Sequence, residues 1–244
     1  WNVGGGGILG TPAFDPASNR LFVNVEGPAP VLSGAIRPGD NLYTGSIVAL
    51  DATTGRLEWH AQYLPHDVWG LSGGSPPFLF DRGGGRYVAF AGRTGWVYVF
   101  DAADGSPVLR SDNFVPQEGL FAPHPDSGGL RMAPGVNGGN SGAPVAYDPG
   151  SGTVYVGGVH QPMVYTSDGE PYRRGQLWLG GEVRFAPGED QWGTVTALDL
   201  GDGSIRWQHR TPTPVHSGVL ATAGGLVFVG QGSGTLDAFD ASTG

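Results

Sequence analysis

The sequence has no cysteine and no lysine, so all 13 of its basic residues are arginine. Without cysteine there is no disulfide frame and no thiolate metal site, and the redox compartment leaves no mark on the composition. No run of about 18 apolar residues exists to cross a membrane as a helix, and no leader of the secretory kind begins at Trp1. A chain that opens on Trp1-Asn2-Val3 and stops at a turn reads as a piece of a longer one. The net charge of −9, with no basic stripe, argues against a nucleic-acid backbone as partner. Long helices are also missing, because 45 glycines and 20 prolines interrupt every stretch that would need them.

What the sequence does have is a repeat. Ser46 to Trp59 reads SIVALDATTGRLEW, and its pattern returns at Val99-Phe100-Asp101 to Gly105, at Ala197-Leu198-Asp199 through Gly203 to Trp207, and at Ala238-Phe239-Asp240 to Gly244. Each copy is an alternating apolar run followed by an Asp and, four residues later, a Gly. In two copies a Trp follows four residues after the Gly. Alternation buries one face of a strand, the Gly supplies positive φ for a tight turn, and the Asp bonds its own turn backbone. The Asp-to-Asp intervals of 50, 98 and 41 residues fit a four-stranded propeller blade, the middle interval holding two periods. Four copies of one Asp point to architecture rather than to acid catalysis.

The expected fold is all-β: a single partial β-propeller over residues 1–244, built of four-stranded antiparallel blades with tryptophan-docking repeats. The blades are expected near 8–63, 71–110, 141–209 and 216–244, the last without its fourth strand, with loop insertions at 111–140 and 158–190. About four blades do not close a ring of six to eight without leaving open strand edges, so half of a larger propeller is expected, with a four-bladed ring as the competing architecture. The Gly-rich start from Trp1 to Gly7 leads into strand and turn rather than helix, which excludes a phosphate-binding loop. Loops such as 111–140 lie over one mouth of a propeller channel, where sites are usually made.

Arg37-Pro38-Gly39-Asp40-Asn41, then IVALDATTGRLEW, then Pro65-His66-Asp67-Val68-Trp69, in this order and spacing, resemble the pyrroloquinoline quinone (PQQ)-dependent alcohol dehydrogenases, the quinoproteins. Gly92-Arg93-Thr94-Gly95-Trp96-Val97-Tyr98-Val99 and the run from Gly218 to Phe228 extend the resemblance over nearly the whole chain, as the later half of an eight-bladed propeller. The resemblance implies that calcium or a lanthanide polarises a quinone carbonyl, an Asp takes the alcohol proton, and hydride passes to the PQQ. It also implies a small alcohol or sugar as substrate, a cytochrome as electron acceptor, and a periplasmic or extracellular location.

Carried over position by position, the resemblance gives a divergent site. Leu9 stands where the family stacks a Trp under the quinone. Gly27 stands at the metal-binding Asn, with Glu26 beside it as the candidate metal ligand on the opposite strand face. The catalytic Asp falls on Gly70, leaving Asp67, three residues earlier, as the catalytic candidate, whose alternative reading is a turn carboxylate. Arg93 matches the basic quinone contact, Asn140 a family amide near the cofactor, and His216 the place of a late Trp. His66 is a further residue at the mouth. Two functions stay open: a quinoprotein dehydrogenase, and a catalytically inactive propeller serving as a binding module or scaffold. A polysaccharide-binding or assembly propeller is a third, resting on Trp178, Phe185 and Trp192.

Overall fold

The computed structural model describes residues 4–123, 129–166 and 175–244. Trp1 and parts of both expected insertions lie outside the described residues. The first sheet comprises β1 (Ala13–Asp15), β2 (Arg20–Val25), β3 (Ser46–Asp51) and β4 (Leu57–Gln62), paired in that order. The second comprises β5 (Phe78–Arg82), β6 (Gly85–Ala91), β7 (Val97–Asp101) and β8 (Pro107–Arg110). A short strand β9 (Leu130–Met132) precedes the third sheet, which is β10 (Ala146–Asp148), β11 (Thr153–His160), β14 (Trp192–Asp199) and β15 (Ile205–Thr211). The last is three-stranded: β16 (Val219–Ala221), β17 (Leu226–Gly230) and β18 (Leu236–Asp240). All pairings are antiparallel, and the described residues contain no helix, as the composition requires.

Strand alternation explains how the sheets stack. In β6 and β7, Val88, Phe90, Tyr98 and Phe100 face the first sheet and meet Phe22, Ile47 and Ala49. Ala89, Ala91, Val97 and Val99 point the other way, toward Phe114, Val154, Val156 and Leu198. The third sheet repeats the pattern, with Tyr155, Val195 and Ala197 against Val219, Val227 and Val229. Inner sheets are thus buried on both faces. The outward face of the first sheet, with Val23, Val25 and Val48, lines an apolar groove of about 770 Å³.

The repeated Asp residues build four near-identical corners. The Gly amide donates to the Asp carbonyl at 2.8 Å in Asp51/Gly55, 2.9 Å in Asp101/Gly105, 2.8 Å in Asp199/Gly203 and 2.8 Å in Asp240/Gly244, each Gly at positive φ. The carboxylates accept from the turn amides of Thr54, Ala103, Gly201 and Ser242. Bonds from the Ser242 hydroxyl and from the Ser242 and Thr243 amides pull the Asp240 carboxyl down to about 2. Trp59 lies on Gly105 of the next sheet and donates from its indole to the Ala102 carbonyl at 3.3 Å. Trp207 does the same on Gly244, reaching Ala241 at 3.0 Å. In the Asp101 copy, which has no Trp, Leu109 fills this place against Gly203.

The two segments expected as unstructured insertions instead contribute a small sheet of their own. β9 pairs with β12 (Met163–Thr166), which pairs with β13 (Glu182–Phe185). Its apolar side, Met132, Met163 and Tyr165, packs on Leu32, Leu64 and Leu71 from loops of the first and second sheets. Pairing between Leu130 and Tyr165 joins strands too distant for local periodicity to announce.

Candidate functional site at the loop end

Successive connections in an antiparallel sheet alternate between its two ends. The Asp corners occupy one end. The connections 26–45, 63–77, 92–96, 111–145, 161–191, 212–218 and 231–235 therefore gather at the other. The candidate site residues Glu26, Gly27, His66, Asp67, Gly70, Arg93, Asn140 and His216 lie in this set of loops, and Leu9 lies on the approach to β1.

Asp67 is buried and saturated. Its Oδ1 accepts from the amides of Trp69 and Gly70, both at 2.9 Å, and its Oδ2 from the amide and hydroxyl of Ser72, both at 2.7 Å. Four donors on one carboxylate make it the peg of the 67–72 turn, leaving no lone pair aimed at a substrate. Arg37 clamps the same turn from behind: Nη2 donates to the Asp67 carbonyl at 2.7 Å, Nε to Pro30 at 3.0 Å and Nη1 to the Asn41 side chain at 2.5 Å. Burial lowers the Arg37 pKa, with the nearby Asp67 charge opposing that shift. The Arg-Pro-Gly-Asp-Asn stretch is thus a scaffold motif, a role its composition does not announce.

Glu26 is held differently. Its backbone is fixed between the Gly-rich approach and the start of β3, by Glu26 N to the Gly7 carbonyl at 2.9 Å and Gly45 N to the Glu26 carbonyl at 3.4 Å. Its carboxylate rests in the space a side chain at Gly73 would fill, and pairs with Arg93 Nη1 at 3.2 Å. Burial raises the Glu26 carboxyl above the ordinary range; the Arg93 charge opposes this and the Asp67 charge adds to it. Arg93 keeps a buried Nε that has no hydrogen-bond partner, while its amide donates to the Gly73 carbonyl at 3.2 Å. Beneath the pair, the Gly73 amide donates to the Tyr63 hydroxyl at 2.8 Å, which donates to Asn24 Oδ1 at 2.8 Å. Burial pushes the Tyr63 phenol well above its usual range. Tyr63 and Gly73 carry no signal in the sequence that would have marked them.

The other candidates divide. Asn140 joins the cluster through its backbone, donating to the Gly92 carbonyl at 3.1 Å, while its side-chain oxygen accepts from Gly142 at 3.1 Å. His216 is exposed and its Nδ1 meets the Ser141 hydroxyl at 3.4 Å. Leu9 is 78% exposed and supports no ring on this chain. His66 is turned aside, its Nδ1 on the Gly39 carbonyl at 2.7 Å. Phe185 is half exposed, whereas Trp192 stacks with His160 under the Arg210 guanidinium. Gly27 faces the Asp67 carboxylate, and Gly70 has φ +71 with Val136 and Val31 where a side chain would start. Among the described residues no group of three His, Cys, Asp or Glu side chains is placed to hold a metal ion.

Residues 1–118 match the family model described as glucose/ethanol/alcohol dehydrogenase, beta-propeller domain, and residues 191–244 match one described as outer membrane protein assembly factor BamB. The chain is 32% identical to a quinoprotein ethanol dehydrogenase of Pseudomonas putida, over all of the chain and 45% of that relative. It is 31% identical to methanol dehydrogenase [cytochrome c] subunit 1 of Methylobacterium organophilum, over all of the chain and 43% of the relative. Among solved structures, a quinohemoprotein alcohol dehydrogenase from Pseudomonas putida HK5 superposes with a TM-score of 0.89 at 26% identity, covering 99% of this chain and 40% of that one. A europium-containing methanol dehydrogenase superposes with a TM-score of 0.87 at 26% identity, covering 98% and 45%. The chain therefore spans less than half the length of these relatives.

Proposed function

Starting from a chain that belongs to the PQQ-dependent alcohol dehydrogenase family, we propose that it forms the later part of a quinoprotein propeller whose loop end faces PQQ. The protein would oxidise a small alcohol or sugar, pass electrons to a cytochrome, and work in the periplasm or outside the cell. The observation that carries this reading is Arg93: a guanidinium at the loop end, with a buried Nε lacking an acceptor, on the turn that matches the family's quinone contact.

The residues here fit a quinone. A carbonyl or carboxylate oxygen of PQQ would satisfy the orphaned Nε, and Arg93 would orient the ring and balance charge that develops on it. The redox chemistry would be supplied by bound PQQ, as acceptor of hydride from the alcohol carbon. Glu26 fixes the Arg93 guanidinium from one side, and the Gly73 carbonyl holds its backbone from another. The small sheet of β9, β12 and β13 packs over the adjoining loops and keeps water from the Asp67 turn. The metal of the family is a different matter. Among the described residues there is no side chain at Gly27 or Gly70 and Asp67 is saturated, so these residues do not fit a calcium or lanthanide ion.

A second reading, a propeller that binds without catalysis, is favoured by Gly70, whose surroundings exclude the expected catalytic Asp. The experiment is a titration of the full-length protein with PQQ, following quinone absorbance, together with dye-linked oxidation of a panel of alcohols. Binding with turnover supports the dehydrogenase; binding without turnover, or no binding, overturns it and supports the second reading.

A further inference from the structure

Hard cations such as calcium need six to eight oxygen ligands, and among the described residues the side-chain oxygens around the Glu26–Arg93 pair are already committed. Both Asp67 oxygens are taken by the 67–72 turn, Asn140 Oδ1 by Gly142, and Asn24 Oδ1 by Tyr63. Gly27, Gly70 and Gly73 add no side chain. That leaves Glu26, which lies against a guanidinium rather than an open space. A divalent ion at Glu26 would sit beside the Arg93 charge and would have to break the pair at 3.2 Å. Gly73 fixes this arrangement, because any side chain there would displace the carboxylate from its cradle.

We propose that this part of the site takes its quinone without a divalent cation, Arg93 supplying the positive charge and Glu26 acting as its internal counter-ion. The ligand class is a carboxylate-bearing ortho-quinone, and the inference rests on the proposed PQQ reading. The ion pair is neutral as a unit, and the buried Arg93 Nε is left as a donor without a partner. Glu26 then sets affinity by partly neutralising Arg93. Removing its charge while keeping its shape strengthens attraction for an anionic ring.

The test titrates PQQ into the full chain by absorbance, in EDTA, in calcium and in lanthanum, for wild type, Glu26→Gln and Arg93→Ala. Terbium luminescence, with the metal alone, is compared between wild type and Glu26→Gln. The expected result is a wild-type affinity equal within about twofold in all three buffers. Arg93→Ala weakens it at least about tenfold in each buffer, Glu26→Gln tightens it in each, and terbium binding does not depend on Glu26. A metal-enhanced affinity that Glu26→Gln abolishes, or Glu26-dependent terbium binding, overturns the metal-free site and leaves the PQQ reading standing. A weakening in Glu26→Gln overturns the counter-ion role. Absence of quinone binding in every buffer overturns the PQQ reading and this inference together.

Discussion

The corner end of the sheets holds its carboxylates in one way, and the loop end in two. At the corner end, Asp51, Asp101, Asp199 and Asp240 each accept the amide two residues on in their own turn, Asp199 pairing with Arg206 as well. At the loop end, Asp67 follows that same rule, with four donors on its two oxygens. Glu26 breaks it, since its carboxylate meets a guanidinium instead of backbone amides. A saturated carboxylate defines a turn. One held by an ion pair, beside an arginine with a donor to spare, is free to serve a ligand.

The largest expected effect comes from the corners. Trp207→Ala removes a buried indole and its bond to Ala241, and should cost about 3–5 kcal/mol in chemical denaturation. If it costs under 1 kcal/mol, the docking contacts do not hold the sheets together. Asp67→Ala should cost about 3 kcal/mol, because it strands buried amides at Gly70 and Ser72. A stable Asp67→Ala variant that nevertheless lost quinone binding would move Asp67 from scaffold to site and erase the contrast with Glu26.

The smallest effect is the most telling about Glu26. A carboxyl raised by burial lowers stability once ionised: the cost is fully present above the folded pKa and vanishes as pH falls below the ordinary value of 4.5. Glu26→Gln should therefore raise the melting temperature at pH 7, with the gap closing as pH approaches 4.5. A gap of the opposite sign at pH 7 would mean that the Arg93 attraction outweighs desolvation.

Legibility in the sequence tracks the range of the interactions. The corners are local: Asp, Gly and Trp within nine residues state the turn, its φ and its docking group, so the propeller and its repeat could be read directly. Leu109 on Gly203 could not, because only a neighbouring sheet shows that a leucine holds the Trp place. The small sheet escaped because β9 finds β12 across an interval with no period. At the site, the missing side chains at Gly27 and Gly70 were visible by resemblance. The Glu26–Arg93 pair was not, because it depends on the cradle at Gly73, which a glycine in a Gly-Gly dipeptide does not advertise.

The most direct measurement is PQQ affinity in wild type and Arg93→Ala, with melting temperature recorded for both. A loss of at least about tenfold in Arg93→Ala, measured at a temperature where both proteins remain folded, is predicted for a guanidinium that contacts the quinone. Equal affinities would contradict the assignment and leave Arg93 as the partner of Glu26 alone.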